Sequence, residues 1–266
     1  MGGFQALMNL VVQLELAFLF ESGCRIAVVT GGNKRIGFEI CRQLASNGIS
    51  VVLTARDVKR GNDAVEKLNS SGLADVSEIA SSQSLKEIVK QTYESEENCL
   101  RTNYYRSKQV TKALIPLFQQ SNSARIVNLS SSLAQLRILQ NEGAKRVLGD
   151  VGNLTEEKID KVVEEFLGDV KENLVERKGW PTNYSACIVS KAALNAFGRI
   201  LARQYPRILI NSVDPGYVST DANNNTGPMT VEEGAKGPVM LALMQDGGAS
   251  GLFFNQMEVS SFLYKT

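Results

Sequence analysis

A single stretch, Ile26-Ala-Val-Val-Thr-Gly-Gly-Asn-Lys-Arg-Ile-Gly37, limits what this chain can fold into more than any other. An apolar run of strand length empties into a glycine turn, and the helical pattern Phe38-Glu-Ile-Cys-Arg-Gln-Leu-Ala45 follows at once. Such a turn presents backbone N–H groups outward and opens a helix N-terminus beside them. Both features suit an anion, and together they suit a dinucleotide pyrophosphate.

Apolar runs of strand length occur at 25–30, 50–54, 125–129, 208–213 and 251–255. Helical patterns lie between them, at about 36–47, 58–70, 84–119, 156–176, 185–205 and 231–244. This alternation predicts an α/β fold with a Rossmann-like, doubly wound parallel sheet. A single domain is expected over residues 23–266, preceded by an apolar N-terminal extension over 1–22.

One gap interrupts the pattern. Between Arg56 and Arg125 there is no convincing strand run, only helical patterns and the polar stretch Ala74–Ser84. In the strand order 3-2-1-4-5-6 the fourth strand lies directly beside the first, so losing it removes a central neighbour. Either Asp75–Ala80 forms a short strand or the sheet closes over the absence, and a sheet lacking one or two strands is expected.

Composition narrows the chemistry. The 266 residues suit one sizeable core, and a formal net charge of +1 gives no nucleic-acid footprint. Histidine is absent, which removes Ser-His-Asp and Cys-His catalysis, most zinc sites and any imidazole acid or base. Proton transfer must then come from Tyr, Ser, Lys, Cys or a carboxylate, and no metal site is expected. Cys24, Cys41, Cys99 and Cys187 are scattered without a C-x-x-C pair and read as reduced thiols of a cytoplasmic protein. Residues 4–20 are apolar, but they include Gln5, Asn9, Gln13 and Glu15 and have no basic leader or evident cleavage site. That argues against both a signal peptide and a membrane span. The favoured readings are an added N-terminal helix packed on the body or a stray segment.

Four further landmarks share the order and spacing of a known family. They are Asn103 in Thr102-Asn-Tyr-Tyr105, the run Ser130-Ser-Ser132, Lys191 in Val189-Ser-Lys-Ala-Ala-Leu-Asn195, and Pro215-Gly-Tyr-Val-Ser-Thr-Asp221. With Thr30–Gly37 they resemble the short-chain dehydrogenase/reductase family over about residues 24–264. A long insertion at about 136–180 is similar to that of its monomeric plant carbonyl-reductase branch. In that branch the insertion covers the substrate and blocks the usual dimer helix, which implies a monomer here.

The resemblance implies reduction of a small lipophilic ketone by NADPH. Ser131 would hold the substrate oxygen, Lys191 the nicotinamide ribose, and Asn103 a water relay. Cofactor contacts are implied at Gly31, Asn33, Lys34, Arg35, Ile36 and Gly37 of the turn, at Arg56 and Lys191, and at Pro215, Gly216, Val218 and Thr220. Cations at Lys34 and Arg56 favour the 2′-phosphate of NADP over the free ribose of NAD.

Several positions depart from the family pattern. The tyrosine expected four residues before Lys191 is Cys187, whose thiol ends much nearer the backbone than a phenol oxygen. Tyr184 offers a substitute if the helix begins early enough to place 184, 187/188 and 191 on one face. Arg35 and Arg106 stand where the family has glycine, and the N-N-A-G motif occurs nowhere in the chain. The motif's absence coincides with the missing strand and points to a deletion. A non-catalytic cofactor- or partner-binding relative and a reductase of conjugated double bonds are the alternative readings.

Overall fold

The computed structural model describes residues 15–21, 24–73, 76–80, 93–223 and 225–263. Among these, eight strands form one sheet: β1 (Glu15–Glu21), β2 (Cys24–Val29), β3 (Ser50–Ala55), β4 (Val76–Ala80), β5 (Arg125–Leu129), β6 (Leu209–Asp214), β7 (Phe253–Asn255) and β8 (Glu258–Ser260). Their order across the sheet is β4-β3-β2-β1-β5-β6-β7-β8. The pairs β2–β3, β3–β4, β5–β6 and β6–β7 are parallel, as the alternation predicted.

The described strands form an eight-stranded sheet, but the parallel strand expected beside β2 is missing from it. β4 forms at the edge beside β3, which settles the polar stretch after Ala74 as a strand from Val76. The central gap is filled from the other end of the chain. β1 lies between β2 and β5 and runs antiparallel to both, with Leu16 opposite Val29 on one side and Val127 on the other.

The N-terminal reading is corrected accordingly: residues 15–21 are a central strand rather than a helix or a stray segment, while 1–14 and 84–92 lie outside the described residues. Without β1, the facing edges of β2 and β5 would leave a row of N–H and C=O groups unpaired inside the protein. A two-residue connection from Glu21 to Cys24 is short enough for a hairpin. The sequence Glu15-Leu-Ala-Phe-Leu-Phe-Glu21 is apolar at successive positions, as a strand covered on both faces requires.

Helices cover both faces. They are α1 (Arg35–Ser46), α2 (Val58–Ser70), α3 (Tyr93–Leu100), α4 (Arg106–Phe118), α5 (Glu142–Gly149), α6 (Glu156–Lys171), α7 (Ser185–Gln204) and α8 (Val231–Ala242). A π-helical turn, Arg101–Tyr105, joins α3 to α4 without a break. Alternation along β5 divides the core, with Ile126 packing among the residues of α4 to α7 and Val127 among those of α1, α2 and α8.

The insertion is part of the first of these layers. Leu148, Ile159, Val163, Phe166 and Trp180 are buried in it, and Trp180 Nε1–H donates to Asp169 at 2.8 Å. The charged segment from 156 is therefore a packed helix with one buried face, not a wholly solvated one. Its Asp160 accepts from Tyr104 Oη at 2.8 Å and pairs with Lys108 at 2.7 Å, which docks α6 on α4.

Candidate active site

Ligands of a doubly wound sheet bind beyond the carboxyl ends of its parallel strands. The turn after β2 is shaped for close approach there. Gly31 holds a positive φ of 67°, and a Cβ at Gly32 would lie 2.7 Å from Leu53 Cβ and 2.8 Å from Cys41 Sγ. Side chains are thus excluded where the backbone passes between β3 and α1. Lys34, the N-cap of α1, makes no side-chain cap, which leaves the first-turn N–H groups for a phosphate. The turn therefore fits a pyrophosphate.

Arg35 adopts φ 53°, a left-handed conformation that favours the glycine expected there. Its guanidinium and the Lys34 ammonium both pair with Asp221, the latter at 3.0 Å. These contacts hold the Asp221 carboxyl below its usual range, Arg35 contributing more than Lys34. Asp221 was inside the quoted Pro215–Asp221 motif, but nothing in the sequence revealed its partners. Gly216, at φ 88°, turns the chain after β6, and Thr220 N–H donates to Asn223 Oδ1 at 3.1 Å.

Hydrogen bonds fix the surroundings of three of the expected catalytic residues. Lys191 Nζ donates to the Leu129 carbonyl at 2.7 Å, which ties α7 to the end of β5 two residues before Ser131. Ser131 Oγ accepts from Leu133 N–H at 3.2 Å, an arrangement that leaves the hydroxyl proton to be donated elsewhere. Asn103, within the π turn, donates through Nδ2 to Ser190 Oγ at 3.1 Å, beside Lys191. Ser190 in turn donates to the Cys187 carbonyl at 2.9 Å. Ser190 is a link the sequence reading missed.

Cys187 lies on α7 one turn before Lys191 and is half-buried. Close by, Cys99 Sγ accepts from Asn103 Nδ2 at 3.3 Å. Burial, reinforced by the neighbouring Cys187, pushes the Cys99 thiol up to about 11. Cys41, Cys99 and Cys187 are free thiols. Tyr184 stands outside the helix as its N-cap, at φ 54° and 70% exposed. The helical-face argument for it therefore does not apply.

Asn33, Ile36 and Gly37 complete the turn and the start of α1. Arg56 directly follows β3 and is exposed, and Pro215 and the buried Val218 lie on the loop beyond β6. Among the described residues no His/Cys/Asp/Glu cluster could hold a metal, and no helix is long and apolar enough to cross a membrane.

Comparison with known proteins gives one consistent picture. Residues 25–95 match the family model for short chain dehydrogenase. The chain is 44% identical to short-chain dehydrogenase/reductase 1 of Saponaria officinalis, over 90% of this chain and 96% of that one. It is 42% identical to (+)-neomenthol dehydrogenase of Capsicum annuum, over 90% and 98%. The solved structure of salutaridine reductase from Papaver somniferum superposes with a TM-score of 0.81 at 41% identity, over 86% of this chain and 99% of that one.

Proposed function

The chain belongs to the short-chain dehydrogenase/reductase family, and on that premise we propose that it is a monomeric reductase of small lipophilic ketones that uses NADPH. The observation that supports this reading is the Lys191 bond to the Leu129 carbonyl, two residues before Ser131, with Asn103 bonded to the neighbouring Ser190 and a turn after β2 shaped for pyrophosphate. The kinship with proteins named for neomenthol and salutaridine supports a terpenoid- or alkaloid-type ketone.

Bound NADPH supplies the hydride. The chain's own residues fix the carbonyl and manage its charge. Ser131 donates its free proton to the carbonyl oxygen and holds it as negative charge develops. Lys191, anchored by the Leu129 carbonyl, keeps a positive charge at that edge and supports the ribose. Asn103 is braced by Ser190 and orders water toward Lys191. Protonation of the alkoxide is the weak step, because the Cys187 thiol stands in the donor's place with less reach. Turnover is accordingly slow.

Blocking of the dimer helix supports the monomer. Tyr104, Lys108 and Lys112 of the π turn and α4 are engaged by Asp160 and Glu156 of the insertion. The experiment is NADPH binding by calorimetry, followed by stopped-flow NADPH oxidation with a panel of cyclic terpenoid and alkaloid ketones. Binding with slow ketone-dependent oxidation is expected. Tight NADPH binding without any oxidation would leave a non-catalytic binding protein, and oxidation only with conjugated enones would move the reaction to the double bond.

A further inference from the structure

Helix α7 is tied to the helical segment before α4 at two points. Its Ala186 N–H, one of the first-turn donors that a helix cannot pair within itself, donates to Glu96 Oε2 of α3 at 2.7 Å. One turn further along α7, Ser190 Oγ accepts from Asn103 Nδ2 at 3.1 Å. A cysteine lies between the two ties on each side. Cys99 falls between Glu96 and Asn103, and Cys187 between Ala186 and Ser190. Positions 96, 99 and 103 share one helical face, and the two ties turn that face toward α7. The Asn103 amide shows the same thing directly. The Nδ2 that reaches Ser190 also lies 3.3 Å from Cys99 Sγ, and Ser190 Oγ donates to the Cys187 carbonyl at 2.9 Å.

The residues between the ties are small. Ala186 and Ser190 are buried, while Cys99 and Cys187 are half-buried free thiols. Small facing residues let two helices approach closely, as the short span of a disulfide requires. Cys41 differs, being wholly buried and shut off from solutes. Burial, reinforced by the neighbouring Cys187, makes Cys99 hold its proton, which leaves Cys187 to meet an oxidant first.

We propose that Cys99 and Cys187 form a reversible oxidation site, a thiol pair that a peroxide converts into a disulfide joining α3 to α7. In the first step the Cys187 sulfur attacks hydrogen peroxide. The O–O bond breaks, the sulfur gains a hydroxyl as sulfenic acid, and water leaves. In the second the Cys99 sulfur attacks the Cys187 sulfur. The S–S bond forms, the S–O bond breaks, and the Cys99 proton departs with the hydroxyl as a second water. The two sulfurs give up two electrons and the peroxide takes them. A dithiol such as dithiothreitol reverses the change by exchange through a mixed disulfide. The bond itself is independent of the reductase reading. Its consequence for turnover rests on that reading, because oxidation consumes the thiol that stands in the proton donor's place.

The test uses the full chain, reduced, desalted and exposed to hydrogen peroxide without denaturant. Remaining thiols are then blocked with iodoacetamide and the digest is mapped by mass spectrometry. A peptide pair joined through Cys99 and Cys187 is expected, with an intact mass lighter by two hydrogens and full reversal by dithiothreitol. In Cys99→Ser the first product should persist, and dimedone should trap it at Cys187. Ketone-dependent NADPH oxidation by the native chain should fall roughly tenfold or more on oxidation and return on reduction.

The proposal is overturned if the folded chain yields no Cys99–Cys187 peptide, if that peptide appears only after unfolding in urea, or if either cysteine joins another thiol instead. Ketone reduction would then leave the reductase reading in place. If the joined peptide forms and neither redox state reduces any ketone, the oxidation site stands and the reductase reading falls.

Discussion

Removing residues 1–21 should abolish the folded state, although none of the recognised catalytic or cofactor positions lies there. β1 is paired along both edges, with six residue pairs to β2 and four to β5. An antiparallel ladder forms on average one hydrogen bond per residue pair. At a net 0.5–1.5 kcal/mol each, the two ladders are worth roughly 5–15 kcal/mol, which equals the entire stability of a typical domain. A gentler perturbation isolates the backbone. Ala17 faces Val28 on one side and Ile126 on the other, so Ala17→Pro removes one ladder bond at mid-strand and leaves its acceptor buried. That variant should lose about 2–4 kcal/mol, and Ala17→Val less than about 1. Urea unfolding followed by far-UV circular dichroism measures both, and the truncated chain should be insoluble or lack a cooperative transition. A truncated protein that unfolds with the parent's midpoint would refute the central placement of this strand.

Three other outcomes are expected. Cys187→Tyr should raise the single-turnover rate of ketone reduction by about 10²-fold or more, since it restores a positioned proton donor, while Tyr184→Phe should change little because that ring is exposed; stopped-flow NADPH oxidation reads both. Asp221→Asn should tighten NADPH several-fold in calorimetry at low salt by releasing Lys34 and Arg35, and the gain should shrink as ionic strength rises; no change would mean that the pairs do not compete with the cofactor. Stability should fall between about pH 9 and 11, because the unfolded Cys99 thiol ionises near 9.0 while the folded thiol holds its proton to about 11. The two-unit difference is worth about 2–3 kcal/mol at the upper limit, and Cys99→Ala should remove that share of the fall in urea titrations at each pH, leaving the share of the buried Cys41 thiol, whose ionisation burial pushes higher still.

Much of this architecture was legible from periodicity. The glycine turn, the strands at Ser50–Ala55 and Arg125–Leu129 and the helices α1, α2 and α7 fall where apolar spacing puts them, because local pattern and tertiary burial agree there. The misreading of 15–21 has a definite cause. A short run apolar on both faces has no period to distinguish a buried strand from a buried helix, and only the open edges of β2 and β5 decide the matter. Tyr184 shows the same limit at a helix boundary: a left-handed residue just before Ser185 takes it off the face that spacing assigned to it. The Lys34–Asp221 pair spans 187 residues and leaves no local trace in the sequence.

The fold and the chemistry part company at the inserted strand. A parallel strand in the place beside β2 would deliver its carboxyl end, and whatever loop follows it, to the edge where such sheets bind their ligands. β1 repairs the hydrogen-bond ladders on both sides, but it runs the other way. Its first residue, Glu15, reaches that edge opposite Asn128, and its last, Glu21, pairs with Cys24 at the far end. No N-N-A-G loop can therefore follow it into the site, and none exists in the sequence. Restoring a sheet requires only a strand of suitable length and apolarity, whereas restoring a ligand edge requires the right direction as well. The chain meets the first condition through its N-terminus. The second it must meet with other groups at that edge.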